Sequence, residues 1–186
     1  MLSFKTYQET EMKRKFLGSV VALALAAPVY AGEMLSDAQI IGIYSQVNSF
    51  DIETALLGEL KGHSDDVRAI GSMVSGDHSG VRQAIHQLAS EMGVQPVLPP
   101  ARIEAAQDHD TVIMQLRGLE GAAFDAAYLR HEIAFHTAAI QAVEGLLIPE
   151  AEDPRLRAHF QAVLPAFYHH LEVNQKAAGT LGVSVD

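Results

Sequence analysis

In the stretch VSGDHSGV, Val74 to Val81, a histidine stands where an apolar residue should continue a helix stripe. Val67, Ile70, Val74, Val81, Ile85, Leu88 and Met92 recur at spacings of three and four, the period of one helix face, and His78 fills the gap. The same replacement occurs twice more. His136 interrupts the stripe of Leu129, Ile133, Ile140, Val143 and Leu147, and His170 follows Leu156, Phe160, Val163 and Phe167. A carboxylate joins them from another segment, because Glu53 lies between Phe50, Leu57 and Leu60 on one helical face. Ile40, Ile43 and Val47 mark a neighbouring stripe almost as well.

A lone histidine in such a seam is most simply a core residue with both ring nitrogens hydrogen-bonded. Three in one small core are harder to satisfy, each costing roughly 1–3 kcal/mol if left without partners. One shared cation would serve all three. Neutral imidazole is the commonest side-chain ligand of divalent transition metals, and a carboxylate is its frequent companion. His78, His136, His170 and Glu53 therefore form a candidate site for zinc, copper or iron, closed with the carboxylate and open at one position without it. Asp77, beside His78, and Glu132, one turn before His136, are candidates to hold the rings in orientation. The competing expectation is a structural or stress-related cell-envelope protein in which the same groups form a buried polar network without metal.

Four long helices must position these residues. The first opens at the capping-box pattern Ser36-Asp37-Ala38-Gln39 and runs to about Lys61; the second opens at Ser64-Asp65-Asp66 and ends before Gly93. The third runs from about Ala122 to Leu147, stopped by Pro149, and the fourth runs from Asp153-Pro154 to about Gly179. Hairpin-length links join each pair, and a long connection with a short helix around Thr111 to Leu119 joins helices 2 and 3. That layout predicts an all-α four-helix bundle with one long crossover. Pro165 should kink the fourth helix near Gln161. Gly76 and Gly80, four apart on one face, suggest the close approach of another helix. His63, His86, His109 and His159 read as surface or loop residues, with His159 a further candidate to support His170.

Register sets a condition on the site. Counted from a hairpin centre near residue 63, His78 lies opposite Asn48, and Glu53 is five residues, roughly 7–8 Å, away along the axis. Counted from residue 151, His136 and His170 miss each other by four residues, roughly 6 Å.

Residues 1–31 read as a cleavable export signal: basic Met12-Lys13-Arg14-Lys15, apolar Phe16 to Ala27, and Val29-Tyr30-Ala31 before the cut, with Met12 as an alternative start. The apolar run is short for a membrane span. The expected mature domain, residues 32–186, carries 9 basic and 21 acidic residues once four of the 13 and two of the 23 are removed, a net charge of −12. Such a chain repels nucleic acid and anionic lipid. A metal ion and a second copy of the chain are the partners left open. The absence of cysteine excludes disulfides, thiolate ligands and a cysteine nucleophile.

MVSGDH (Met73 to His78), FDAAYL (Phe124 to Leu129) with His136 following, and LPAFYHHL (Leu164 to Leu171) resemble the motifs of the bacterial family labelled domain of unknown function 4142. The resemblance spans about Ser36 to Gln175. It implies a ferritin-like four-helix fold and an exported, periplasmic or outer-membrane location, and it aligns Glu53, His78, His136 and His170 with that family's acidic and histidine positions. It implies no activity. A di-iron oxidase site would need a Glu-x-x-His pair on each of two helices, a spacing absent here. There is also no Gly-x-Ser-x-Gly elbow, phosphate-cradling loop or His-Glu-x-x-His motif, and acid-base catalysis by Glu53 with a histidine would require an open cleft.

Overall fold

The computed structural model describes residues 34–185, and these are helical with no strand. The expected export signal lies outside the described residues. We label the helices α1 (Asp37–Lys61), α2 (Asp65–Met92), α3 (Arg102–Arg117), α4 (Gly121–Ala142) and α5 (Pro154–Thr180). A π-helical turn, Val143–Leu147, and a single turn, Ile148–Glu150, continue α4.

Local chemistry accounts for the ends. The Ser36 side chain accepts from the Gln39 backbone and the Gln39 side chain reaches back to Ser36, closing the capping box. Ser64 caps α2 at Val67 N–H, and Gly93 ends it in the left-handed region at φ 70°, where glycine carries no Cβ penalty. Asp153 caps α5 with Pro154 just inside it. Asp125, from α4, receives the backbone N–H groups of His63 and Ser64 at 2.7 and 2.8 Å and so pins the α1–α2 turn.

Each of the four long helices packs on two others: α1 on α2, α2 on α5, α5 on α4 and α4 on α1. One apolar cluster gathers Ile40, Tyr44, Ile85, Phe135, Leu156 and Phe160; a second gathers Ala55, Val67, Val74, Phe124, Tyr128 and Leu129. Close approach is built at glycines other than those expected. A Cβ at Gly42 would overlap the Val97 carbonyl, at Gly58 the Tyr128 ring, and at Gly71 the α1 backbone at Glu59 and Ala55. Gly76 and Gly80 instead face open space, where a Cβ would meet nothing within 4 Å.

Two elements differ from expectation. The crossover helix α3 covers 16 residues, beginning as soon as Pro99-Pro100 is passed, because Ala105, His109, Val112, Ile113 and Leu116 form a stripe that its acidic residues obscure. It lies parallel to α1 at a constant offset of 56 residues, through Gln46 with Arg102, Glu53 with His109, and Lys61 with the Arg117 carbonyl. Pro149 does not stop α4. It falls in the first turn that follows the π segment, where a missing N–H is tolerated. Pro165 lies inside α5 on its exposed side, and the carbonyl of Gln161, which loses its partner, belongs to an exposed residue.

Candidate metal centre

His78 from α2, His136 from α4 and His170 from α5 meet in the core, each with almost no exposed surface. Each has a nitrogen within 4.8 Å of the others'. His78 Nε2 and His136 Nε2 both lie 3.3 Å from His170 Nδ1. The four-residue mismatch between His136 and His170 closes because Cα–Cβ bonds tilt toward a helix's N-terminus. In antiparallel α4 and α5 this tips His136 away from the connecting turn and His170 toward it.

The carboxylate at the centre is Asp51, not Glu53. Asp51 is fully buried, with Oδ2 2.8 Å from His78 Nε2 and 3.4 Å from His136 Nε2. Glu53, two residues and roughly 200° further round α1, has a side chain 61% exposed and bonds His109 Nε2 at 2.9 Å. The apolar face that suggested Glu53 is only partly a core face: Phe50 is buried and stacks on His109, whereas Leu60 is 77% exposed.

Each ring is fixed from behind. His78 Nδ1–H donates to Asn48 Oδ1 at 2.8 Å, the amide having spent a donor on the Tyr44 carbonyl. His136 Nδ1–H donates to the Glu132 carbonyl at 3.0 Å. His170 Nε2–H donates to Asp77 Oδ2 at 3.0 Å. A neutral imidazole carries one proton, so in each ring the nitrogen facing the centre is an acceptor. Three ring acceptors and the Asp51 carboxylate then face one another, with the carboxyl of Glu132 beside Asp51 as a group able to donate a proton to it.

Burial favours the neutral form of the rings at His136 and His170. Burial lowers His136 to about 4, against the pull of Asp51. Burial also lowers His170, with Asp77 opposing. For Asp51, burial pushes up, and it is chiefly the charge that His78, His136 and His170 carry when protonated that pulls the carboxyl below its usual range. Glu132, also fully buried, lies 3.6 Å from His136 Nδ1 through Oε2; burial and the charge of Asp51 raise it well above the ordinary carboxyl range.

These donors fit a four-coordinate cation. A tetrahedral ion with bonds of about 2.0–2.1 Å spaces its ligand atoms roughly 3.3 Å apart, and three of the separations here are 3.3, 3.3 and 3.4 Å. The backing acceptors are the outer groups that orient metal-bound histidines. His159, by contrast, is remote from this role, its ring packing edge-on against Tyr44 and Phe160.

Asp51 and the buried His109 escaped sequence reading. Asp51 belongs to the row Tyr44, Asn48, Asp51, Thr54 and Gly58, a core face whose polar members disguise it. The count that set Asn48 opposite His78 pointed there, since Asp51 is the next residue on that face. His109 is buried too, contrary to its surface reading, and filling the α3 stripe it follows the rule that found the other three.

The chain is thus an all-helical protein whose described core holds two adjoining groups that could hold a metal ion, His78 with His136 and His170, and Asp51 with Glu132 and His136. It belongs to the family described as domain of unknown function (DUF4142), whose model matches residues 23–177. No curated protein and no solved structure matches it.

Proposed function

We propose that this chain is an exported protein with a ferritin-like four-helix bundle that binds a divalent transition metal ion through His78, His136, His170 and Asp51. The observation that carries the reading is the convergence of three buried ring acceptors, with the Asp51 carboxylate set against two of them. Such lone pairs in a dry core repel one another unless a cation lies between them. Nitrogen and oxygen donors with no thiolate or thioether favour zinc or copper(II) over copper(I), and the near-tetrahedral spacing favours zinc. The role is to bind, buffer or sense that metal in the periplasm. Export rests on the basic, apolar and small-residue order of residues 12–31. The bundle rests on the paired packing of α1 with α2 and α4 with α5 and on the family resemblance.

A thermal melt of tag-free protein, treated with EDTA and then given zinc, copper, iron or manganese, tests this. A ligand bound only by the folded state adds RT ln(1 + [L]/Kd), about 2.7 kcal/mol at a hundredfold excess over Kd. Zinc is expected to give the largest upward shift, and His78→Ala or His170→Ala to abolish it. No shift with any metal would leave a polar network in a structural protein.

A further inference from the structure

The segment of α2 around His78 combines weak helix formers with little apolar anchoring. Residues 75–80 are Ser-Gly-Asp-His-Ser-Gly, with no strong helix former among them. Gly76 and Gly80 are exposed and face open space, so neither is required by packing. The Ser75 and Ser79 hydroxyls turn back to the Ser72 and Ser75 carbonyls, a contact that weakens and bends helices. Between Val74 and Ile85 the only buried side chains of α2 are Ser75 and His78, so no fully buried apolar group anchors about three turns. Scarce apolar burial and solvent-facing backbone mark the parts of a fold that open most readily.

What this segment carries makes its weakness consequential. It holds His78, which faces the centre, and Asp77, whose carboxylate keeps His170 in orientation from a side chain 52% exposed. Apart from these, the site is enclosed by groups deep in α1, α4 and α5, namely Asp51, Glu132, His136 and His170.

We propose that local opening of α2 over Ser75–Gly80 is the gate through which the metal exchanges, releasing His78 and the Asp77 support of His170 in one movement. This rests on the metal-binding reading above. Alanine at either glycine favours the closed helix and should slow exchange roughly fivefold, or about twentyfold for the pair.

The test loads wild-type protein, Gly76→Ala/Gly80→Ala and the control Gly179→Ala with zinc, then follows release to excess chelator by stopped flow. Gly179 is an equally open helical glycine on α5. The expected result is about twentyfold slower release from the double variant alone, with zinc affinity at equilibrium unchanged and slower amide exchange over residues 75–80. Equal release rates in wild type and the double variant, or equal slowing in Gly179→Ala, overturn the gate and leave metal binding standing. A wild-type protein that takes up no zinc overturns both.

Discussion

Asp51 and Glu53 are two residues apart on α1 and meet different fates, one sealed among three imidazoles and the other at the surface on His109. This contrast gives a direct test. Asp51→Asn keeps the shape but removes the anion, and is expected to abolish the zinc-induced melting shift. Glu53→Gln should keep that shift in full. Titration calorimetry with zinc on both variants decides the matter, and an intact shift in Asp51→Asn would remove the carboxylate from the site. The histidines were legible because each broke an otherwise apolar stripe. Asp51 was not, because it sits on a core face where Asn48, Asp51 and Thr54 look like solvent-facing residues. Apolar periodicity finds a polar residue that is the exception on its face and misses one where polar residues cluster.

Helix boundaries were legible wherever a side chain or a glycine closes the end, as at Ser36, Ser64, Gly93 and Asp153. They failed where the chain itself adapts, as at the π turn ahead of Pro149. Helix contacts were the harder inference, since a glycine's role depends on what lies across from it. Gly71 meets the α1 backbone, which cannot yield as a flexible side chain can. Gly71→Ala should therefore destabilise the fold by about 3 kcal/mol, the upper range for overpacking, and lower the urea midpoint accordingly. A midpoint unchanged from wild type would mean that α1 and α2 separate at little cost.

The molecule as a whole should respond to pH through its buried rings. An unfolded histidine takes up its proton near pH 6.5, whereas burial holds His131 and His136 near 4 and also lowers His159 and His170. Between 6.5 and 4 the unfolded chain binds more protons than the folded one at His131 and His136, so acidification costs up to about 1.4 kcal/mol per pH unit for each of these two, and His159 and His170 act in the same direction. Glu132 acts the other way, because its raised carboxyl loses stability as pH rises beyond the unfolded value. Four rings outweigh one carboxyl below pH 6.5, and above it Glu132 alone remains. Metal-free protein should be most stable near pH 6.5, which urea midpoints at pH 4.5, 6.5 and 8 would check; a midpoint highest at pH 4.5 contradicts it. A different property follows from how the two ends of the described chain are tied. Glu150 accepts from Leu35 N–H, and Asp37 accepts from the N–H groups of Glu152 and Asp153, so the start of α1 is stapled to the α4–α5 turn. At the other pole Arg130 donates to the Ser184 carbonyl, and Leu181 to Val183 lie beside His63 in the α1–α2 turn. The 25 residues of α1 separate these ties by about 37 Å. Tension applied between the two ends would run along the helix axes and load the packed faces in shear, so the fold resists pulling with its whole core rather than by unzipping one helix at a time.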